Sequence, residues 1–171
     1  MGSAVPVRVR PARRHDVGEL LTLQRAAWVA EAQRRRDPFL RQLTDEVDDL
    51  QRVVDDPATT WLLASTESDG EHGRRGRLVG SIRLTVGADG TGRVSRVVVA
   101  PDLRGRGLAT TLLEALHAEV GRRTDVRLLE LSTGTAASDD LALYRRFGYA
   151  EAGRVVDAEG RDVPVLRRPV R

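Results

Sequence analysis

The chain has 171 residues and no cysteine. That absence removes disulfides, thiolate metal ligands and any acyl-cysteine intermediate. Lysine is missing too: all 28 basic residues are arginine. A Schiff-base lysine and the lysine of a Walker phosphate loop are therefore excluded. Asparagine does not occur either, and aromatic residues make up only 4% of the chain, so few platforms exist for stacking nucleobases. No apolar run approaches the ~18 residues of a membrane span. The first residues, M-G-S-A-V-P-V-R, lack the apolar core of a secretory signal, so a cytoplasmic location is the expectation.

What is present suits one globular domain over residues 1–171, with 40% hydrophobic and 31% charged residues. The net charge of +3 is too small to argue for nucleic acid. Arginine doublets at 122–123, 145–146 and 167–168 are interspersed with acids and read as solvated surface, as does the run 34–36. Neither a membrane nor a nucleic acid is expected as a partner.

Alternation of Val5, Val7 and Val9 predicts an opening strand. Val17, Leu20, Leu21 and Trp28 fall at helical spacing over 16–28, and Pro38 argues for a break beyond it. A second helix fits Leu43, Val47, Leu50 and Val54, with Thr44 or Asp45 as its cap. Strands follow at 60–65, 78–86 and 93–100, the first pair separated by a polar loop at 67–76 that carries His72. Leu108, Leu112, Leu116 and Val120 form one stripe of a helix running to about residue 123. A strand at 126–132 makes this a β–α–β unit, and hence a parallel pair. A short helix over 139–147 with Gly148 as its stop, then strands at 149–157 and 163–168, close the chain. The order is that of a mixed α/β (α+β) domain. His15 and His117 read as helix-associated surface residues.

The chain is organised around residues 97–110, V-V-V-A-P-D-L-R-G-R-G-L-A-T. A strand runs into a glycine turn that opens a helix, where unpaired N–H groups and the helix dipole suit an anion, phosphate above all. Three phosphate-binding readings compete. A Walker loop fails without lysine. A dinucleotide fingerprint starts with Gly105 and Gly107, but Thr110 stands in the third glycine's place. Glu130 sits near the ribose-acid offset, yet the chain leaves no room for a doubly wound sheet.

The third reading rests on two motifs. Val99-Ala100-Pro101 followed by Arg104-Gly105-Arg106-Gly107-Leu108-Ala109 resembles the V-x-P and [QR]-x-x-G-x-[GA] motif of the GNAT superfamily of N-acetyltransferases. Leu143-Tyr144-Arg145-Arg146-Phe147-Gly148-Tyr149 resembles that family's L-Y-x-x-x-G-[FY] helix. Together with the element order, the resemblance covers nearly the whole chain. It implies a GNAT-like fold: a mixed, mostly antiparallel sheet with one parallel pair splayed at the acetyl-CoA site, flanked by about four helices.

The resemblance also implies a site. Val97, Val98 and Val99 would pair their backbone with the pantetheine arm of acetyl-CoA. Arg104, Gly105, Arg106, Gly107, Leu108, Ala109 and Thr110 would wrap its pyrophosphate. Tyr144, which spacing alone reads as a core aromatic, becomes the general acid for the departing thiolate. The acceptor would be an amine on a small molecule or a protein N-terminus, acetylated by direct attack in a ternary complex. No metal is expected, and a homodimer is consistent with the family. The strand before the loop carries Arg93, Ser95 and Arg96 where relatives often have a glutamate, so the base is left open among Glu130, Glu31 and a water chain. Relatives often carry asparagine shortly before the tyrosine; Asp139 and Asp140 stand there instead. The missing base keeps a catalytically degenerate acyl-CoA-binding domain as the alternative.

Overall fold

The structure is a computed structural model that describes residues 6–67, 76–133, 138–157 and 160–170. Seven strands form one sheet in the order β1-β2-β3-β4-β5-β7-β6. They are β1 (Val7–Pro11), β2 (Thr59–Thr66), β3 (Leu78–Val86), β4 (Thr91–Val99), β5 (Leu128–Ser132), β6 (Ala150–Val156) and β7 (Asp162–Pro169). Every neighbouring pair is antiparallel except β4 and β5. The mixed, mostly antiparallel sheet with one parallel pair is the expected architecture. The 67–76 loop with His72 lies largely outside the described residues. No described helix is long and apolar enough to cross a membrane.

Five helical segments flank the sheet: α1 (Val17–Arg35), α2 (Arg41–Thr44), α3 (Val47–Asp55), α4 (Leu108–Val120) and α5 (Ser138–Arg146). Two of them replace the single helix expected over 43–54. The chain leaves helical geometry at Asp45, whose ψ is 142°. A fresh start follows at Glu46, not Thr44 or Asp45, with Asp49 closing a reciprocal capping box onto the Glu46 N–H. Local periodicity could not show this break, because Asp45 is drawn out of the helix by an ion pair with Arg96 on β4.

α1 runs further than its apolar stripe suggested, ending where Arg36 turns left-handed at φ 52°. The run 34–36 is not simply a solvated face: Arg35 turns inward and pairs with Glu31 one turn earlier. The entry to α1 is held by a bidentate pair, Arg10 Nη1 and Nη2 each donating over 2.7 Å to Asp16. Asp16 is 5% exposed and also accepts from the Arg13 N–H, and these bonds, Arg10 first, hold its carboxyl below the usual range.

α4 presents Leu108, Leu112, Leu113, Leu116 and Val120 to the core, all buried. The helix lies close because β3 carries Gly80 opposite it. A Cβ there would stand 2.9 Å from Leu112 Cδ1 and 3.2 Å from the Val98 carbonyl. Burying these leucines contributes roughly 2 kcal/mol each.

His117, expected at the surface, belongs to this packing. Its Nε2 lies 3.1 Å from the Tyr149 hydroxyl, and its ring stacks on Tyr149 and meets Phe147 edge-on. Burial, with Arg168 nearby, pulls its pKa from 6.5 down to about 4. The folded state thus prefers neutral His117. Its stabilising contribution is complete above pH 6.5 and is lost as pH falls towards 4, where only the unfolded chain takes up the proton. Urea unfolding of wild type and His117→Gln across this window should show a shallower loss of stability on acidification in the variant.

Candidate active site

β4 and β5 are paired over three residues only, Thr91–Arg93 against Leu128–Glu130. Beyond Arg93 the strands separate. On its other edge β4 stays paired to β3, but with a slip: Arg83 faces Ser95 while Ser81 faces Val98. Three steps along β4 match two along β3, so Arg96 and Val97 bulge. Arg96 takes φ 53°, rare for a residue with a side chain. Its carbonyl accepts from Ser81 Oγ at 3.0 Å, and its Nη1 reaches Gln24 Oε1 at 2.7 Å and Asp45 Oδ2 at 2.6 Å.

The separated strands open a cleft of about 650 Å³. Val97, Val98 and Val99 line one wall, and Leu131, Ser132 and Thr133 line the other. The edge of β4 that faces β5 has no ladder partner here, so its backbone groups are available. At one end of the cleft the glycine turn delivers the N-terminus of α4. Gly105 and Gly107 have φ of 74° and 80°, and no side chain caps the helix. The first N–H groups of α4 are thus open to a bound anion. A Cβ on either glycine would meet nothing within 4 Å, so the turn needs glycine for conformation and not for space.

Of the residues expected around a phosphate, Arg104, Gly105, Gly107, Leu108, Ala109 and Thr110 line the cleft; Arg106 is exposed and outside the lining. Arg104 Nη2 donates to the Ala27 carbonyl at 2.6 Å, tying the turn to α1.

Tyr144, on α5, is 9% exposed and part of the same lining. Gly148 at φ 82° ends α5, and the returning chain bonds its Tyr149 N–H to the Tyr144 carbonyl at 3.1 Å. The Tyr149 ring then buttresses Tyr144 edge-to-face at 5.9 Å between centroids. Burial, reinforced by Asp140, pushes the Tyr144 phenol above its usual range, so it stays protonated and can only donate at ordinary pH.

Two carboxylates line the cleft, Glu31 from α1 and Asp140 from α5. Glu130 does not; it projects from the sheet between Arg167, at 2.9 Å, and Arg93, at 3.9 Å. The side chain of Asp139 lies outside the described residues. Among these residues no group of histidines and acids could hold a metal ion.

Sequence reasoning did not place Trp28 or Arg96 in the cleft, nor Gln24 behind it. Gln24 is wholly buried, its Nε2 without a partner, and the Trp28 Nε1 in the cleft wall is buried and unpartnered too. One signal existed. Gln24 and Glu31 occupy the same α1 stripe as Val17, Leu20, Leu21 and Trp28, polar side chains where a plain core helix would be apolar.

A family model described as the acetyltransferase (GNAT) family matches residues 19–149. The chain belongs to the GNAT acetyltransferase family. A curated relative, an "IAA acetyltransferase" of Azospirillum brasilense, is 35% identical over 81 residues, 47% of this chain; the match spans about half, 52%, of the relative's length. Two solved GNAT structures share the fold. The ribosomal-protein-S18-alanine N-acetyltransferase of Escherichia coli gives a TM-score of 0.71 at 17% identity, covering 96% of this chain and 94% of that one. The spermidine N-acetyltransferase of Vibrio cholerae, solved with CoA and spermine, gives 0.70 at 16%, covering 95% of each.

The glycine turn of this GNAT chain makes a direct test. Gly107→Ala should destabilise the protein by about 1–2 kcal/mol in urea unfolding, and Gly107→Asn by less, because asparagine tolerates the left-handed conformation.

Proposed function

We propose that this protein transfers the acetyl group of acetyl-CoA to an amine. The observation that carries this reading is one cleft whose lining brings together an uncapped helix N-terminus, the free edge of β4 and the Tyr144 side chain. An anion-binding turn, a strand edge that can pair with an extended amide-bearing arm, and a buried phenol are what an acyl thioester of a long pyrophosphate-bearing carrier requires.

The steps use this chain's own groups. N–H groups at the start of α4 hold the pyrophosphate, and the β4 edge aligns the pantetheine arm. The β4 bulge presents backbone N–H to the thioester carbonyl, stabilising the oxyanion as the amine attacks. With no cysteine available, attack is direct, and orientation of the two substrates supplies much of the rate. The tetrahedral adduct loses a proton from nitrogen, and the C–S bond breaks. Tyr144 gives its proton to the departing sulfur and regains one ultimately released by the amine. Glu31, which lines the cleft while Glu130 does not, receives the amine proton directly or through water.

Calorimetry should show binding of acetyl-CoA in preference to NAD and ATP; a preference for either of the latter overturns the reading. Tyr144→Phe should lower kcat by about 10²-fold and leave the acetyl-CoA Kd unchanged. Single-turnover acetyl transfer at an unaltered rate would remove Tyr144 from the chemistry.

A further inference from the structure

Beside the cleft, behind its lining residues Ser95 and Arg96, lies an imbalance of charge that the transfer chemistry does not use. Arg83, on β3, stands in register with Ser95, next to the β4 bulge, and Ser95 and Arg96 both line the cleft. The Arg83 guanidinium lies over the Trp61 ring, 5.2 Å from its centroid, and its Nε donates to Ser95 Oγ at 3.1 Å. Its two terminal nitrogens have no acceptor among the described residues.

The charged groups acting on Arg83 are Arg96, Asp45 and Arg41. Asp45 is the one carboxylate among them, and Arg96 already holds it at 2.6 Å. Arg96 and the exposed Arg41 thus add positive charge around Arg83 against one spoken-for acid, and Arg25 donates to the Asp45 carbonyl at 3.0 Å. Behind Arg96, the wholly buried Gln24 has an Nε2 with no acceptor. Donors and positive charge accumulate here without the oxygens that would satisfy them. A half-buried cation with no carboxylate of its own is costly, and an anion at its free nitrogens would offset that cost.

We propose that this pocket of arginines recognises a carboxylate on the acceptor, with Arg83 as the specificity-determining residue, so that the substrate is an amine that also carries an acid, of the amino-acid class. This rests on the acetyltransferase reading above and sharpens it. The planar Arg83 fork, stiffened by Trp61 and Ser95, is free to donate from both terminal nitrogens to a carboxylate in the bidentate manner that arginine favours. Burial, with Arg96, draws its pKa down to about 10, the direction expected of a cation short of negative charge. A polyamine, several times positive, would meet like charge at the same place.

The test compares matched acceptors, amino acids against their carboxamides and decarboxylated amines, with spermidine included. Wild-type protein should favour the carboxylate-bearing member by at least about 30-fold in kcat/KM. Arg83→Met, which keeps the stem on Trp61, should abolish that preference mainly through KM, leave the carboxamides and decarboxylated amines within about threefold, and leave the acetyl-CoA Kd unchanged. Arg83→Lys should retain part of the preference, because charge remains while the fork is lost. Equal use of each pair, or preference for spermidine, overturns the proposal. A second readout does not depend on turnover: the Arg83 Nε–H resonance in ¹⁵N spectra should shift with amino acids and not with their carboxamides. That shift without acetyl transfer would overturn the transferase reading and leave the carboxylate site standing; no shift would overturn the site.

Discussion

The parting of β4 from β5 is the constraint on which the site depends. A parallel pair joined through α4 would ordinarily continue its ladder, and here it stops after Arg93. The strand is turned away by the bulge at Arg96, whose left-handed backbone costs on the order of 1 kcal/mol. That cost is offset from both sides. Ser81 bonds the Arg96 carbonyl, while Gln24 and Asp45 take its guanidinium. One side chain thus shapes the strand, ends α2 by drawing Asp45 out of line, and fixes α1 against the sheet.

From that parting the two ends of the cleft follow. The strand that leaves β5 runs into the glycine turn, so the start of α4 opens at the same gap as the free strand edge. On the far wall, β5 leads towards α5 and brings Tyr144 to the gap. The aromatic cluster behind it, Tyr149 against His117, is carried by the return of the chain after Gly148 and by the outer face of α4. The helix whose N-terminus opens on the cleft therefore also braces Tyr144 through Tyr149, and the core leucines of α4 hold both in one rigid frame.

An all-arginine basic complement changes the character of the surface as well as its charge. Arginine keeps its proton in half-buried positions where lysine would tend to lose it, and its fork bonds several partners at once. Arg10 with Asp16, Arg96 with Asp45 and Gln24, and Arg104 with the Ala27 carbonyl each join α1 or the α2–α3 junction to another part of the fold. Arg83 departs from this pattern, because its terminal nitrogens are left free beside the cleft.

The sequence by itself determined whatever depends on near neighbours. The alternating strands, the leucine stripe of α4, Gly148 after α5 and the Gly105–Gly107 turn are local preferences, and each stands where its spacing placed it. The two motifs that resemble the GNAT family are local as well, and they carried the fold and part of the cleft lining. What only the tertiary structure decided arises from contacts between residues far apart in the chain. Asp45 leaves its helix because Arg96 attracts it from 51 positions away. His117 is half-buried because Tyr149 folds back over it. Gln24 finds a partner only once the β4 bulge sets Arg96 beside it, and Glu130 is drawn away from the cleft by Arg167 on a neighbouring strand. Periodicity reports which face of an element is apolar; the partner that a polar side chain meets depends on a pairing that no window of sequence contains.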